Sequence, residues 1–349
     1  MELELKKECL DTYELGEPQT LTQEETAETI VPDYCPDIAR IISAEGVVCL
    51  HGGTEQDGVT GTVRVTVLYT PENESGVRAL EFAMPFSAQG EGLAGCAHVV
   101  VETEIELLES RMLNPRKIFT RCKLVTHLAG CRKVCLTISS DAETDPALLV
   151  EKRCCGQTVS LLRQVAEKDL TFSETMSLSL GREGAAELLH CRANGIVTET
   201  KAIGNKLIFK GVFLVSALYH TIGGELPFSQ IMETDSTEEN TQVSMRLRIT
   251  GTDIQIDGSD DEGRQLSVTV YYHTMAFLRE TREVTLLTDL YSTAYETRYE
   301  PSQLDLCSLY ESVTRRQTVR EVLEIVRLEG QRGKKVCHYS LGMKQRLGI

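Results

Sequence analysis

The chain contains no tryptophan, and aromatic residues supply only 5% of its 349 residues. This scarcity argues against a cleft in which sugars stack on aromatic rings. No run of 18 apolar residues occurs, so the sequence predicts no transmembrane helix. The N-terminal segment MELELKKECLDTYELGEP is charged and lacks the apolar region of a signal peptide. We therefore expect the chain to stay in the compartment where it is made.

Familiar enzyme motifs are also missing. The sequence has no G-x-x-x-x-G-K-[ST], G-x-G-x-x-G, H-E-x-x-H or G-x-S-x-G pattern. We predict a protein that is not an enzyme, with no catalytic, cofactor-binding or metal-binding residues and no cofactor. Paired carboxylates of the glycosidase type stay open as an alternative, because such partners need only be close in space.

Positive charge is scarce: 36 Lys and Arg face 52 Asp and Glu, for a net charge of −16. Because phosphate binding needs a basic surface, this balance argues against a nucleic-acid partner. The last segment, Arg315 to Ile349, reverses the trend with nine basic and three acidic residues. Solvated charge is the favoured interpretation of this segment, and a membrane or nucleic-acid contact is the alternative.

Cysteine is abundant, with twelve residues. Since nothing directs export, we expect their thiols to be reduced. A tetrahedral zinc site usually needs two well-spaced pairs, and only Cys131/Cys135 and Cys154/Cys155 are close in sequence. We interpret the cysteines as small buried apolar residues. The twelve are Cys9, Cys35, Cys49, Cys96, Cys122, Cys131, Cys135, Cys154, Cys155, Cys191, Cys307 and Cys337.

Two clusters come closest to a reactive or metal-binding site. His127 lies near Cys122, Cys131 and Cys135, which would suit a Cys-His nucleophile or a metal site, but strand alternation does not make these side chains converge. Asp257 to Gly263, DGSDDEG, could hold calcium but lacks the calcium-loop pattern, so a solvated hairpin tip is favoured. The histidines are scattered singly, at His51, His98, His127, His190, His220, His273 and His338.

An internal repeat organises the chain. VRVTVLYT, residues 63–70, is matched by VFLVSALY, residues 212–219, and each is followed by Pro-Phe-Ser, at 85–87 and 227–229. Gly46 aligns with Gly195, and Tyr69 aligns with Tyr219. RRQTVREVLEIVRL from Arg315 resembles CGQTVSLLRQVAEK from Cys155, as if a third copy began and broke off. The predicted domains are 1–146, 147–300 and an incomplete third repeat at 301–349 that we expect to be partly disordered.

Within each unit the apolar residues alternate. Val63, Val65 and Val67 share one strand face, and HVVVETEIELLESRML places Ile105 and Leu107 on one face. Strands separated by turn signals predict a mainly β fold of two tandem antiparallel sandwich or barrel-like domains. One short helix per unit is predicted, at PDIARIIS (36–43) and EGAAELLHC (183–191). Phe86 and Phe228 are predicted to fill the two cores.

These motifs resemble a known family. VPDYCPDIARIISAEGVVCL, GTVRVTVLYTPE and LEFAMPFS are similar to the SPOCS domain of clostridial spore-coat proteins of the SipL type. The second unit keeps Leu218-Tyr219 and Leu226-Pro227-Phe228 but lacks the Pro-Asp-Ile start. No C-terminal LysM pattern, which such proteins often carry, is visible.

The resemblance implies a structural role rather than an activity. SipL-type proteins act in the cytoplasm of the mother cell, at the outer forespore surface, by binding the coat morphogenetic ATPase SpoIVA. We therefore expect a spore-coat or spore-envelope assembly protein that works through protein–protein contacts, with self-association as a further option. The alternative is a carbohydrate-binding or carbohydrate-hydrolysing envelope protein.

Overall fold

The protein is described here from a computed structural model. It covers residues 4–51, 58–178, 189–218, 222–235, 237, 241–257 and 264–293. These residues lie in one compact unit, Met1–Tyr299, and the unit Glu300–Ile349 falls outside them, as does the predicted third repeat. Their strands are β1 (Leu5–Leu15), β2 (Gln19–Ile30), β3 (Ile38–Leu50), β4 (Gly58–Pro71), β5 (Arg78–Gln89), β6 (His98–Asn114), β7 (Lys117–Ala142), β8 (Val150–Leu178), β9 (His190–Ile203), β10 (Lys206–Leu218), β11 (Ile222–Glu233), β12 (Thr241–Asp257) and β13 (Arg264–Ser292).

The predicted mainly β architecture with antiparallel pairing is confirmed. In the first half of the described chain, β1 to β7, one sheet has the order β3-β4-β5. The other is built on the long strand β7, which pairs with β1, β2 and β6. Alternating residues of β7 are buried between the sheets, among them Ile118, Cys122 and Leu124.

The second half, β8 to β13, also contains two antiparallel sheets. One sheet has the order β9-β10-β11 and the other β12-β13-β8. Strand β8 pairs with β13 along nearly its whole length. In the first half, β1 and β2 together pair with β7 in the corresponding way. The 3-10 turn Pro146–Leu148 lies between β7 and β8, at the predicted domain boundary. Whether the units 1–146 and 147–300 are separate domains stays a prediction.

Each half has its own hydrophobic core. The first core includes Val63, Val65 and Val67, which are fully buried on the one strand face that the alternation predicts, and the second includes Phe213 and Tyr272. Phe86 and Phe228 are both buried, which confirms their predicted place in the cores. Further buried residues belong to neither core and lie on strands where the halves meet: Leu10 on β1, Ile138 on β7, Val159 and Leu161 on β8, and Phe277 on β13.

The predicted helix at 36–43 is wrong, because Ile38 begins the strand β3. The pairing of β3 with β4 contains two register shifts, between Ile38 and Arg40 and between Ile41 and Ser43. Ile38 is buried and Ile41 partly buried, so the bulges produce the three-residue spacing that imitates a helical face. The other predicted helix, 183–191, lies mostly outside the described residues, although His190 and Cys191 begin β9.

Candidate docking surface

The loop of residues 31–37, which joins β2 to β3, is held by one arginine. Arg116 lies at the turn between β6 and β7. Its Nη1 donates to the carbonyl of Cys35 at 2.8 Å and to Asp37 Oδ1 at 3.0 Å. Its Nη2 donates to the carbonyl of Val31 at 2.9 Å and to Asp33 Oδ1 at 3.2 Å. The planar fork of the guanidinium is suited to bridging several oxygen acceptors at once.

Backbone bonds and a buried tyrosine fix the same loop. Val31 N–H donates to the carbonyl of Arg116, and Ile38 N–H donates to that of Pro115, each at 2.9 Å. The Tyr69 hydroxyl donates to the carbonyl of Pro36 at 3.3 Å, and burial raises the pKa of Tyr69 to about 12. Tyr69 is therefore a neutral donor at physiological pH. Both ends of the loop are anchored, so it is preorganised.

This clamped loop presents an exposed apolar patch. Tyr34 is 88% exposed and Ile30, at the end of β2, is 72% exposed. Met112 and Leu113, at the turn between β6 and β7, are 41% and 44% exposed. The strand pairings place Ile30 and Met112 near the start of β7, and the bonds of Arg116 hold the loop of Tyr34 at the same end of the first half. Large apolar side chains grouped in this way, and not scattered singly, are typical of protein-interaction sites.

Ion pairs line the β2–β7 strands that lead to the apolar patch. Lys117 pairs with Glu28 on the strand that leads to Ile30, and Arg121 Nη2 lies 2.7 Å from Glu24 Oε2. The Asp33 carboxylate is fully exposed next to Tyr34. An aromatic anchor with apolar neighbours and a polar rim is the usual composition of a protein–protein interface.

The residues of the predicted Cys-His cluster do not converge. Cys122 and His127 lie on opposite faces of β7, and His127 is within 3.0 Å of Thr20 Oγ1. Burial raises the pKa of Cys122 to about 11 and that of Cys131 to about 12. Both thiols are protonated near neutral pH, which makes them poor nucleophiles. The acidic tip Asp257 to Gly263 lies mostly outside the described residues.

The expectation that the thiols are reduced is wrong for one pair. Cys9 on β1 and Cys135 on β7 form a disulfide. Sequence spacing could not reveal it, because 126 residues separate the two cysteines. Asp11 lies beside this bond, with its Oδ1 3.8 Å from Cys9 Sγ, and sulfurs joined in a disulfide do not act as thiolate metal ligands.

The sequence did not predict a polar cluster that lies where the two halves meet. His98 Nδ1 on β6 lies within hydrogen-bond distance of Glu167 Oε1 on β8. His273 Nδ1 on β13 lies 2.8 Å from Asp169 Oδ1, and Arg248 is the cross-strand partner of His273. Burial lowers the pKa of Arg248, and the carboxylates of Asp169 and Glu167 oppose that shift. No local signal joins residues from four different strands, so the single histidines gave no hint of it.

Comparison with known families supports the resemblance drawn from the motifs. Residues 185–257 match the family model described as SipL, SPOCS domain. No curated protein and no solved structure matches the chain. In the part of the chain that the structure describes, no helix has the length and apolar character needed to cross a bilayer. The match falls on β9 to β12, whereas the motifs that suggested the family lie mainly on β3 to β5. Residues 185–257 are therefore similar to a SPOCS domain of the SipL type.

Proposed function

We propose that the chain is a non-enzymatic assembly protein of the spore coat or spore envelope that docks another coat protein through the apolar patch. The observation that carries this proposal is Tyr34, which is 88% exposed on a loop that Arg116 holds at four acceptors. A rigid aromatic anchor loses little conformational entropy on binding, so it favours tight contact. The SPOCS match relates the chain to sporulation and supports the cellular setting.

The proposed partner is a coat morphogenetic protein of the SpoIVA type, in the mother cell at the outer forespore surface. The chemistry of the apolar patch indicates what such a partner must offer. Tyr34 and Ile30 call for an apolar pocket, and the exposed Asp33 carboxylate calls for a basic rim beside it. The net charge of −16 would favour encounter with a basic surface over a wide area.

We further propose that the two halves are copies of one SPOCS unit. Each half has a sheet of three consecutive strands, β3-β4-β5 and β9-β10-β11, and both place a glycine directly opposite the phenylalanine of Pro-Phe-Ser. Gly61 pairs with Phe86, and Gly211 pairs with Phe228. Two copies in one chain would raise the effective concentration of weak docking contacts within a layer of many molecules.

The docking proposal is tested by measuring binding of the full chain to purified SpoIVA by biolayer interferometry. We expect wild type to bind, and Tyr34→Ser combined with Ile30→Ser to weaken binding by about tenfold or more. Tyr291→Ser combined with Ile203→Ser is the matched control, because those residues are 51% and 51% exposed in the second half.

The control variant should bind as wild type does, and the unfolding midpoint of both variants should stay close to that of wild type. Equal binding by the docking variant and wild type would contradict the apolar patch as the docking site. Failure to recover any coat protein with the tagged wild-type chain from sporulating cells would contradict the assembly role itself.

A further inference from the structure

The disulfide of Cys9 and Cys135 lies on the surface. Cys9 is opposite Thr137 and Cys135 is opposite Asp11, so the two cysteines are diagonal neighbours on one face of the β1–β7 pair. Their Cα atoms are 5.7 Å apart, within the range that a disulfide can bridge. Both cysteines are exposed, so small solutes can reach the sulfurs. Exposed disulfides are the ones that exchange with thiols most readily.

The opposite face of β1 connects the two halves. Leu10 is 1% exposed and Thr12 is 7% exposed, whereas their neighbours Cys9 and Asp11 face solvent. Thr12 Oγ1 donates to the carbonyl of Leu162 on β8 at 3.2 Å. Strand β1 is therefore bonded to β7 in its own half and packs on β8 of the other.

Two charged contacts reinforce this position of β1. Arg163 Nη1 on β8 donates to the carbonyl of Asp11 at 2.6 Å. Arg282 Nη2 on β13 lies 2.8 Å from Glu8 Oε1. A covalent bond that fixes β1 on β7 therefore also fixes the groups that hold the second half.

We propose that Cys9 and Cys135 form a reversible redox site, opened by low-molecular-weight thiols, which sets how firmly β1 joins the halves. In the opening step a thiolate attacks one sulfur, the S–S bond breaks, and a mixed disulfide forms. A second thiol attacks the mixed disulfide. The two protein sulfurs gain two electrons and two protons, and the two small thiols leave as one small disulfide. The same small disulfide drives the reverse step.

Asp11 has a defined role in this site. Its Oδ1 lies 3.8 Å from Cys9 Sγ, and Asp11 is directly opposite Cys135. A carboxylate disfavours a thiolate beside it, and the thiolate is the form that reacts. Asp11 therefore slows attack by the reduced cysteines and limits uncontrolled exchange.

The test equilibrates the full chain in buffers of reduced and oxidised glutathione, blocks free thiols with iodoacetamide, and quantifies the Cys9–Cys135 peptide by mass spectrometry. The linked peptide should disappear in excess reduced glutathione and return in excess oxidised glutathione. Reduction should lower the unfolding midpoint by about 5 °C or more, because the bond closes a long loop. In the reduced chain, Asp11→Asn should raise the alkylation rate of Cys9 a few-fold.

Two variants separate this site from general thiol effects. Cys9→Ser with Cys135→Ser should lose the redox-dependent shift of the midpoint. Cys154→Ser with Cys155→Ser removes two other exposed cysteines and should keep the shift.

The proposal is overturned if no linked peptide forms, or if the unfolding midpoint is the same in both buffers. It is also overturned if the reduced chain retains one zinc ion that the Cys9→Ser, Cys135→Ser variant loses, since the group would then be a metal site. An unchanged alkylation rate would overturn the role of Asp11.

Discussion

At the scale of single residues, Arg116 is the side chain on which the geometry of the docking loop depends. It serves two backbone carbonyls and two carboxylates of a loop about 80 residues earlier in the chain. Lysine could not replace it, because an ammonium is a point donor without the planar fork. The carbonyls of Val31 and Cys35 would lose the guanidinium donor that binds them if the arginine were removed.

Arg116→Ala is expected to lower the free energy of unfolding by about 2–4 kcal/mol, because charged hydrogen bonds are lost and acceptors are left unpaired. Arg116→Lys should recover only a minor part of this loss. Urea denaturation of the full chain measures both values. Arg121→Ala, which removes an exposed ion pair with Glu24, should cost much less stability than Arg116→Ala. An equal loss in both alanine variants would contradict the special place of Arg116.

The two glycines opposite the core phenylalanines make a second residue-scale prediction. A Cβ at Gly61 would lie 2.5 Å from the Phe86 ring, and one at Gly211 would lie 2.2 Å from the Ile196 carbonyl oxygen. Gly61→Ala should cost about 1–3 kcal/mol through overpacking. Gly211→Ala should cost more, because backbone must move and not only a side chain.

Phe86→Leu combined with Gly61→Ala should recover part of the stability that Gly61→Ala alone loses, since the smaller side chain vacates the ring position. Thermal unfolding of the single and double variants provides the double-mutant cycle. Purely additive losses would count against direct contact between residues 61 and 86.

At the scale of strands, bulges decide which side chains reach the core. Simple alternation along β6 places Ile105 and Leu107 on one face. The register of β6 with β7 shifts between Ile105 and Leu107. As a result Ile105 and Leu108 pack against the first core, while Leu107 is 36% exposed. The prediction that Ile105 and Leu107 share one strand face is therefore wrong, because the bulge interrupts the alternation between them.

Leu108→Ala should destabilise the protein by about 2–3 kcal/mol, as expected for a partly buried core leucine. Leu107→Ala should cost under about 1 kcal/mol, because its side chain already contacts solvent. Chemical denaturation of the two variants compares them directly. The reverse order of losses would show that the alternation, and not the bulge, sets the strand register.

At the scale of the whole molecule, the halves are joined by buried apolar residues and by polar groups from both sides. His98 meets Glu167 across this contact, and His190 Nε2 lies 2.9 Å from Glu45 Oε2. Arg64 on β4 donates to the carbonyl of Thr252 on β12 at 3.3 Å. The contact therefore involves both sheets of the first half.

Because two thiols are buried, we expect the free energy of unfolding to fall at alkaline pH. Cys122 and Cys131 have folded pKa values of about 11 and about 12, above the usual 9.0. Below pH 9 both states hold the proton, so the contribution to stability is complete there. Above pH 9 the unfolded chain releases protons that the folded chain retains, and the slope reaches about −1.4 kcal/mol per pH unit for each thiol.

Urea denaturation between pH 8 and 10.5 should therefore show decreasing stability. The variant Cys122→Ala with Cys131→Ala should be less stable at pH 8 but decline less steeply as the pH rises. Cys154→Ala, at an exposed position, should decline as wild type does. Identical slopes in all three proteins would contradict the burial of these thiols as the cause.

The sequence by itself determined the β class, the acidic surface and the inward faces of regular strands such as Val63, Val65 and Val67, because alternation is a local property of the extended chain. It also carried the SPOCS motifs, through residues that are close together along the chain. Tertiary structure alone decided the strand β3 in place of a helix, the exposure of Leu107, the Arg116 clamp and the Cys9–Cys135 bond. Each of these depends on the register between strands that are distant in sequence, and register is set only when the sheets and cores assemble.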